Sequence, residues 1–207
     1  MSGGIDIEKV SAATVKLVNK GGLAVRISDE FLVTAAHCIS YDLEGGIVLG
    51  DHIIEEIETK SGDRFKVSPL AIDPVTDIAL LCALDGQEFY NEAEKFEDFC
   101  SETDPLPLFT GEIDRRGGYP IHIYTHDQNW IDGYATGLGV TKPKIFMVTE
   151  KQIEGGTSGG PIVNDAGELV AIVSHAKIAA PGDIFDAGGP RPHLALPNWF
   201  SRQYLDG

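Results

Sequence analysis

Gly155-Gly156-Thr157-Ser158-Gly159-Gly160-Pro161 sets a serine between two pairs of glycines and runs on into the apolar Ile162-Val163. Glycine leaves the backbone free to enter conformations closed to other residues, so the amides of Gly156 and Ser158 can turn toward one point and hold a developing oxyanion. A serine hydroxyl is inert unless a base takes its proton, and the base needs a partner that fixes its tautomer. The chain supplies both upstream. Leu32-Val33-Thr34-Ala35-Ala36-His37-Cys38 ends an apolar, strand-like run on a histidine, and Thr76-Asp77-Ile78-Ala79-Leu80-Leu81 begins one on an aspartate. Taken singly, each residue has a plainer reading: a core histidine, a strand cap, a glycine-rich turn. The order His, Asp, Ser, with Asp77 following His37 by 40 positions and Ser158 following Asp77 by 81, is what gives them weight together.

These three stretches, in that order, resemble the chymotrypsin-like (trypsin-fold) serine proteases, of the bacterial trypsin-like type. The hydrolase nucleophile elbow, Gly-x-Ser-x-Gly in a strand-turn-helix setting, is not matched. The resemblance implies an all-β chain of two packed six-stranded Greek-key β-barrels closed by a C-terminal α-helix. It implies peptide-bond hydrolysis through an acyl-enzyme, without cofactor or metal, on a polypeptide substrate. Ser158 would be the nucleophile, His37 the proton shuttle, Asp77 its orienting partner, and the amides of Gly156 and Ser158 the oxyanion hole. Ser174 would exchange a hydrogen bond with the aspartate region, and Ser174-His175-Ala176 would wall the substrate cleft. Gln152, six positions before Ser158, would stand at the base of the specificity pocket, with Glu150 and Glu154 close by. Two departures matter. Thr157 replaces the aspartate by which digestive members are switched on, so that switch cannot operate here. Gln152 replaces the acid of pockets that select Lys or Arg, which favours an uncharged residue before the scissile bond.

The 207 residues are enough for one large core or two small packed ones. Sixteen Lys and Arg against 32 Asp and Glu leave a net charge of −16, which argues against a polyanionic partner such as nucleic acid. Met1 to Lys9 has no basic stretch followed by an apolar one, and nothing reads as a membrane span. Three cysteines, Cys38, Cys82 and Cys100, cannot all pair within the chain, and the Lys20-Arg26 segment lacks the cysteine that pairs after the catalytic histidine in secreted relatives. The expectation is a cytoplasmic protein with free thiols; the alternative is a secreted one whose export signal lies outside this sequence.

Strand signals recur at 10–18, 23–27, 31–35, 46–49, 52–59, 64–72 and 78–84, then at 119–125, 130–136, 144–149, 161–164, 169–174 and 193–196, with turns such as Lys60-Ser61-Gly62-Asp63 between them. The expected organisation is an N-terminal barrel over 1–84 carrying His37 and Asp77, an acidic connector over 85–106 with a short helix at 91–99, and a C-terminal barrel over 107–207 carrying Ser158. A terminal helix over 197–205 closes it. The rival to an enzyme is a catalytically silent or partner-activated module, in which the same cleft binds a regulatory protein partner. The remaining histidines, His52, His122, His126, His175 and His193, show no metal-ligand spacing.

Overall fold

The computed structural model describes residues 4–40, 42–44, 47–49, 53–74, 77–111, 113, 118–137 and 145–174. The chain opens on a short helix, α1 (Ile7–Ala12), capped by Asp6, whose carboxylate accepts the Lys9 amide at 3.1 Å. The expected first strand is therefore split: its front half is α1, and only β1 (Thr14–Leu17) is extended. Then follow β2 (Leu23–Arg26), β3 (Leu32–Ala35), β4 (Asp42–Glu44), β5 (Ile47–Leu49), β6 (Glu55–Glu58), β7 (Arg64–Asp73) and β8 (Ile78–Ala83). Six of these close into a barrel in the order β1-β2-β3-β8-β7-β6, whereas β4 and β5 pair only with each other as a separate hairpin. The run at 46–49, expected among the barrel strands, thus belongs to that hairpin.

The continuous apolar runs of β2, β3 and β8 have a direct cause. Successive side chains on a strand face opposite ways. Ala24, Leu32, Ala79 and Leu81 fill the barrel interior. Their neighbours Val25, Val33, Ile78 and Leu80 turn outward to a second cluster shared with Tyr124, Val163 and Ile172 of the C-terminal half. Both faces are buried, so both are apolar. α2 (Tyr90–Glu102), longer than the 91–99 expected, lies on the barrel with Phe96 edge-on and Phe99 tilted against Phe65. Tyr90, at the helix start, stays exposed. Just beyond, the guanidinium of Arg26, nearly inaccessible, donates to the carbonyl and hydroxyl of Thr103 and so ties the end of β2 to the end of the helix.

The second half is a five-stranded sheet in the order β11-β10-β9-β12-β13, from β9 (Tyr119–Tyr124), β10 (Trp130–Gly137), β11 (Ile145–Thr149), β12 (Pro161–Val163) and β13 (Leu169–Ile172). Its interior is built from Ile121, Ile123, Met147, Ile153, Ile162 and Ala171. Strands were expected at each of these places, while the sixth strand at 193–196 and the helix at 197–205 lie outside the described residues. A mostly-β chain with a closed six-stranded barrel and a second sheet has the architecture of the trypsin fold. All three cysteines are thiols, Cys38 buried and the other two partly so. Among the described residues no helix is long and apolar enough to cross a membrane.

Candidate active site

β3 delivers Ala35 into a single 3₁₀ turn, Ala36–Cys38, that presents His37 at the barrel rim. Asp77 stands just before β8, which pairs with β3 so that Ala35 faces Ile78. The two residues are consequently brought together by strand register, 40 positions apart in sequence. His37 Nδ1 lies 3.0 and 2.9 Å from the two carboxylate oxygens of Asp77. The His37 amide donates to Asp77 Oδ1 at 3.0 Å, and the Ala36 amide to the Asp77 carbonyl at 3.0 Å. These bonds hold Asp77 at φ 64°, a left-handed conformation that costs a residue with a side chain about 1–3 kcal/mol and recurs where geometry serves function.

Ser158 enters from the other half. Ser158 Oγ donates to the carbonyl of Ser174 at 3.3 Å, and the Ser174 hydroxyl in turn donates to Asp77 Oδ2 in a short bond. His37, Asp77, Ser174 and Ser158 thus form one connected polar chain between the barrel and the sheet. The loop carrying Ser158 is seated on the first barrel by Leu23 N, which donates to Ser158 O at 2.7 Å, and on its own half by Gly159 N, which donates to Val173 O at 2.6 Å. Room for this seat comes from Gly22, where a Cβ would stand 2.7 Å from Cys38 Sγ and 2.9 Å from Ser158 O. Gly156 has φ 92°, and among the described residues neither its amide nor that of Ser158 donates to a protein acceptor. Gln152 is exposed beside Ile153, which turns into the core of the sheet. His175 and Ala176 lie outside the described residues.

The electrostatics follow from the contacts. The hydrogen bond to Asp77 first, and the contact with Cys38 second, push the His37 imidazole well above its ordinary value of 6.5, against the opposing effect of burial. Burial pushes the Asp77 carboxyl up, but the hydrogen bonds from His37 and Ser174 outweigh it and leave it below its ordinary 3.8. The His37 share of the pair's stabilisation is full below pH 6.5 and fades as pH rises through the raised value; the Asp77 share is full above pH 3.8 and fades as pH falls through the lowered one. A base must be neutral to accept a proton, so reactivity at Ser158 should rise with pH through an apparent pKa above 6.5. Asp77→Asn is expected to move that pKa downward and to cost roughly 10⁴-fold in rate. The pH profile of covalent labelling at Ser158 measures both; a profile unchanged in Asp77→Asn would disconnect the carboxylate from the imidazole.

Two site neighbours carried no readable sequence signal. Lys20 Nζ donates to the carbonyls of His37 and Ile39 at 3.4 and 3.0 Å, bracing the turn after the histidine. His126, in the turn between β9 and β10, contacts Thr157. Elsewhere, His122 lies between Asp132 and Asp165 at 2.6 and 2.9 Å, and among the described residues no group of side chains is gathered as a metal site.

No curated protein matches the chain in sequence. Among solved structures it is similar to the serine endoprotease from Yersinia pestis, with a TM-score of 0.59 at 19% identity over 97% of this chain, and it spans 64% of that protein's length. It is also similar to the inactive form of the Rv3671c protease, with a TM-score of 0.57 at 15% identity, covering 97% of this chain and 91% of that one. At such identities the likeness concerns the fold. The sequence profile of the trypsin-like peptidase domain matches residues 22–172, from the glycine that seats the Ser158 loop to the last strand of the second sheet, and by that match the chain belongs to the trypsin-like peptidase family.

Proposed function

We propose that this chain is a serine endopeptidase that cleaves peptide bonds through an acyl-enzyme, with Ser158 as nucleophile, His37 as proton shuttle and Asp77 as the group that orients it. The observation that carries the reading is the polar chain joining His37 Nδ1, Asp77, Ser174 and Ser158, of which His37, Asp77 and Ser158 lie inside the family-matched segment. In this reading Nδ1 donates to Asp77, which leaves Nε2 with its lone pair toward the substrate. Ser158 Oγ attacks the scissile carbonyl while Nε2 takes its proton. The carbonyl oxygen, now anionic, is held by the amides of Gly156 and Ser158, each worth about 3 kcal/mol in such sites. Collapse breaks the C–N bond, Nε2 protonates the departing amine, and a water repeats the sequence on the ester to free the acid and restore Ser158.

Gln152 supports a preference for an uncharged residue before the scissile bond, since its amide cannot repay the desolvation of a lysine or arginine.

A second reading, a silent or partner-activated module, is favoured by one feature: the Ser158 hydroxyl is engaged by the Ser174 carbonyl. A fluorophosphonate probe separates the two. Stoichiometric labelling of Ser158 in the isolated protein is the expected result, and a protein that never labels, in any condition, is a module. A peptide panel read in parallel should show cleavage after apolar or small polar residues.

A further inference from the structure

The loop that carries the nucleophile is held within itself by two backbone bonds, Thr157 N to Glu154 O at 3.4 Å and Gly160 N to Thr157 O at 2.9 Å. Gly155 and Gly156 have no side chains, and Gly156 sits at φ 92°, so the only side chain available to fix the peptide units ahead of Ser158 is that of Thr157. Thr157 is fully buried, and a buried hydroxyl must find its partners within the protein. Both come from one residue. The His126 backbone amide donates to Thr157 Oγ1 at 3.4 Å, and His126 Nδ1 lies 3.2 Å from the same oxygen. With the ring proton on Nε2, the hydroxyl accepts from the amide and donates to Nδ1, which satisfies it fully. The ring also covers the glycine: a Cβ on Gly156 would stand 3.3 Å from His126 Cγ.

The platform under His126 is stiff. Thr125 N donates to Asn129 O at 3.0 Å and Gln128 N to Thr125 O at 2.9 Å, while Asn129 Nδ2 donates to Asp127 Oδ2 at 2.6 Å. Just before the turn, Tyr124 is anchored on its ring side by Trp130 and through its hydroxyl by Ser11 at 2.9 Å.

We propose that His126 is a positioning residue for the nucleophile loop: by holding the Thr157 hydroxyl and covering Gly156, it fixes the two amides that receive the oxyanion. The inference rests on the serine-peptidase reading of the site. It supplies an anchor at the position where Thr157 replaces the aspartate of the digestive relatives, and the anchor is internal, so it is present without processing of the chain.

Four single variants test it. His126→Phe keeps a ring over Gly156 and deletes Nδ1, and Thr157→Val trades one oxygen for one carbon. Each is expected to lower kcat on a peptide substrate by roughly ten- to a hundredfold, below the loss of a whole oxyanion donor, with KM within about threefold. His126→Asn, which restores a polar atom near Nδ1, and Thr157→Ser should recover most of the loss. The double variant should be no worse than Thr157→Val alone, since both remove one contact. Should His126→Phe fail to fold, Thr157→Val with its Thr157→Ser rescue carries the same test. A reactive parent whose folded His126→Phe or Thr157→Val variant keeps kcat within twofold overturns the inference while leaving the peptidase reading intact. Losses in the Asn and Ser variants as large as in Phe and Val, tracking the fall in Tm, overturn it as well, since they assign a purely structural role. A parent that neither cleaves peptides nor labels with the probe overturns the peptidase reading and this inference with it.

Discussion

Ser158→Ala is expected to lower peptide hydrolysis by roughly 10⁴- to 10⁶-fold while the protein stays folded. The asymmetry comes from what the residue touches. Its side chain is half-buried and makes a single long hydrogen bond, 3.3 Å to the Ser174 carbonyl, so alanine removes no packing and strands no donor. Its backbone does the structural work through the 2.7 Å bond from Leu23, and alanine keeps that. His37→Ala should cost a comparable factor, because members of such a set act as a unit. Turnover of a fluorogenic peptide beside a thermal melt measures both halves of the expectation. Either variant retaining more than a few per cent of parental turnover would remove Ser158 and His37 from the roles given to them.

Gly159→Ala should do the opposite and damage the fold together with the activity. Gly159 has φ 78°, where any side chain is strained, and a Cβ there would overlap the Leu23 carbonyl oxygen and the Thr34 hydroxyl. Those two atoms are already bonded to each other at 2.6 Å, and both sit on strands of the closed barrel, so neither can step aside. Left-handed strain of about 1–3 kcal/mol and overpacking of about 1–3 kcal/mol sum to about 4 kcal/mol. For a chain of this size that is a fall in Tm of about 8–16 °C. Gly155→Ala is the control: a Cβ there meets nothing within 4 Å. A Gly159→Ala protein melting within about 3 °C of the parent would show that the loop is not seated on the barrel as described.

The parts of the fold that were legible in the sequence are those whose cause is local. β9 to β13 follow from apolar runs bounded by turn residues, and Asn164-Asp165-Ala166-Gly167 reads as a turn because Asn164 Oδ1 accepts the amides of Ala166 and Glu168 at 3.0 and 2.9 Å. α1 was hidden because the loose alternation from Val10 to Val18 reads as one strand; the Asp6 cap ahead of it is the signal that separates the two. The separate hairpin of β4 and β5 could not be told from barrel strands, since 46–49 is apolar and β-branched either way and only pairing decides. At the site, His37, Asp77 and Ser158 stood out by residue type and order. The bond from His126 to Thr157 did not, because it spans 31 positions and neither residue belongs to a pattern. Nor did the left-handed Asp77, whose conformation is imposed by the Ala36 and His37 amides across the strand pair.

The bond from Leu23 of the barrel to the Ser158 carbonyl has a meaning for descent. It makes the two halves of the chain parts of one joint, cut to fit each other: Gly22 and Thr34 shape the socket, and Gly159 the piece that enters it. A gene that exchanged one half for the corresponding half of a distant cousin would bring together a socket and a plug shaped in different lineages, and its product is expected to lose the seat of the Ser158 loop even if each half folded well. An exchange made between β8 and β9 is therefore expected to keep this seat only between parents alike at these few positions.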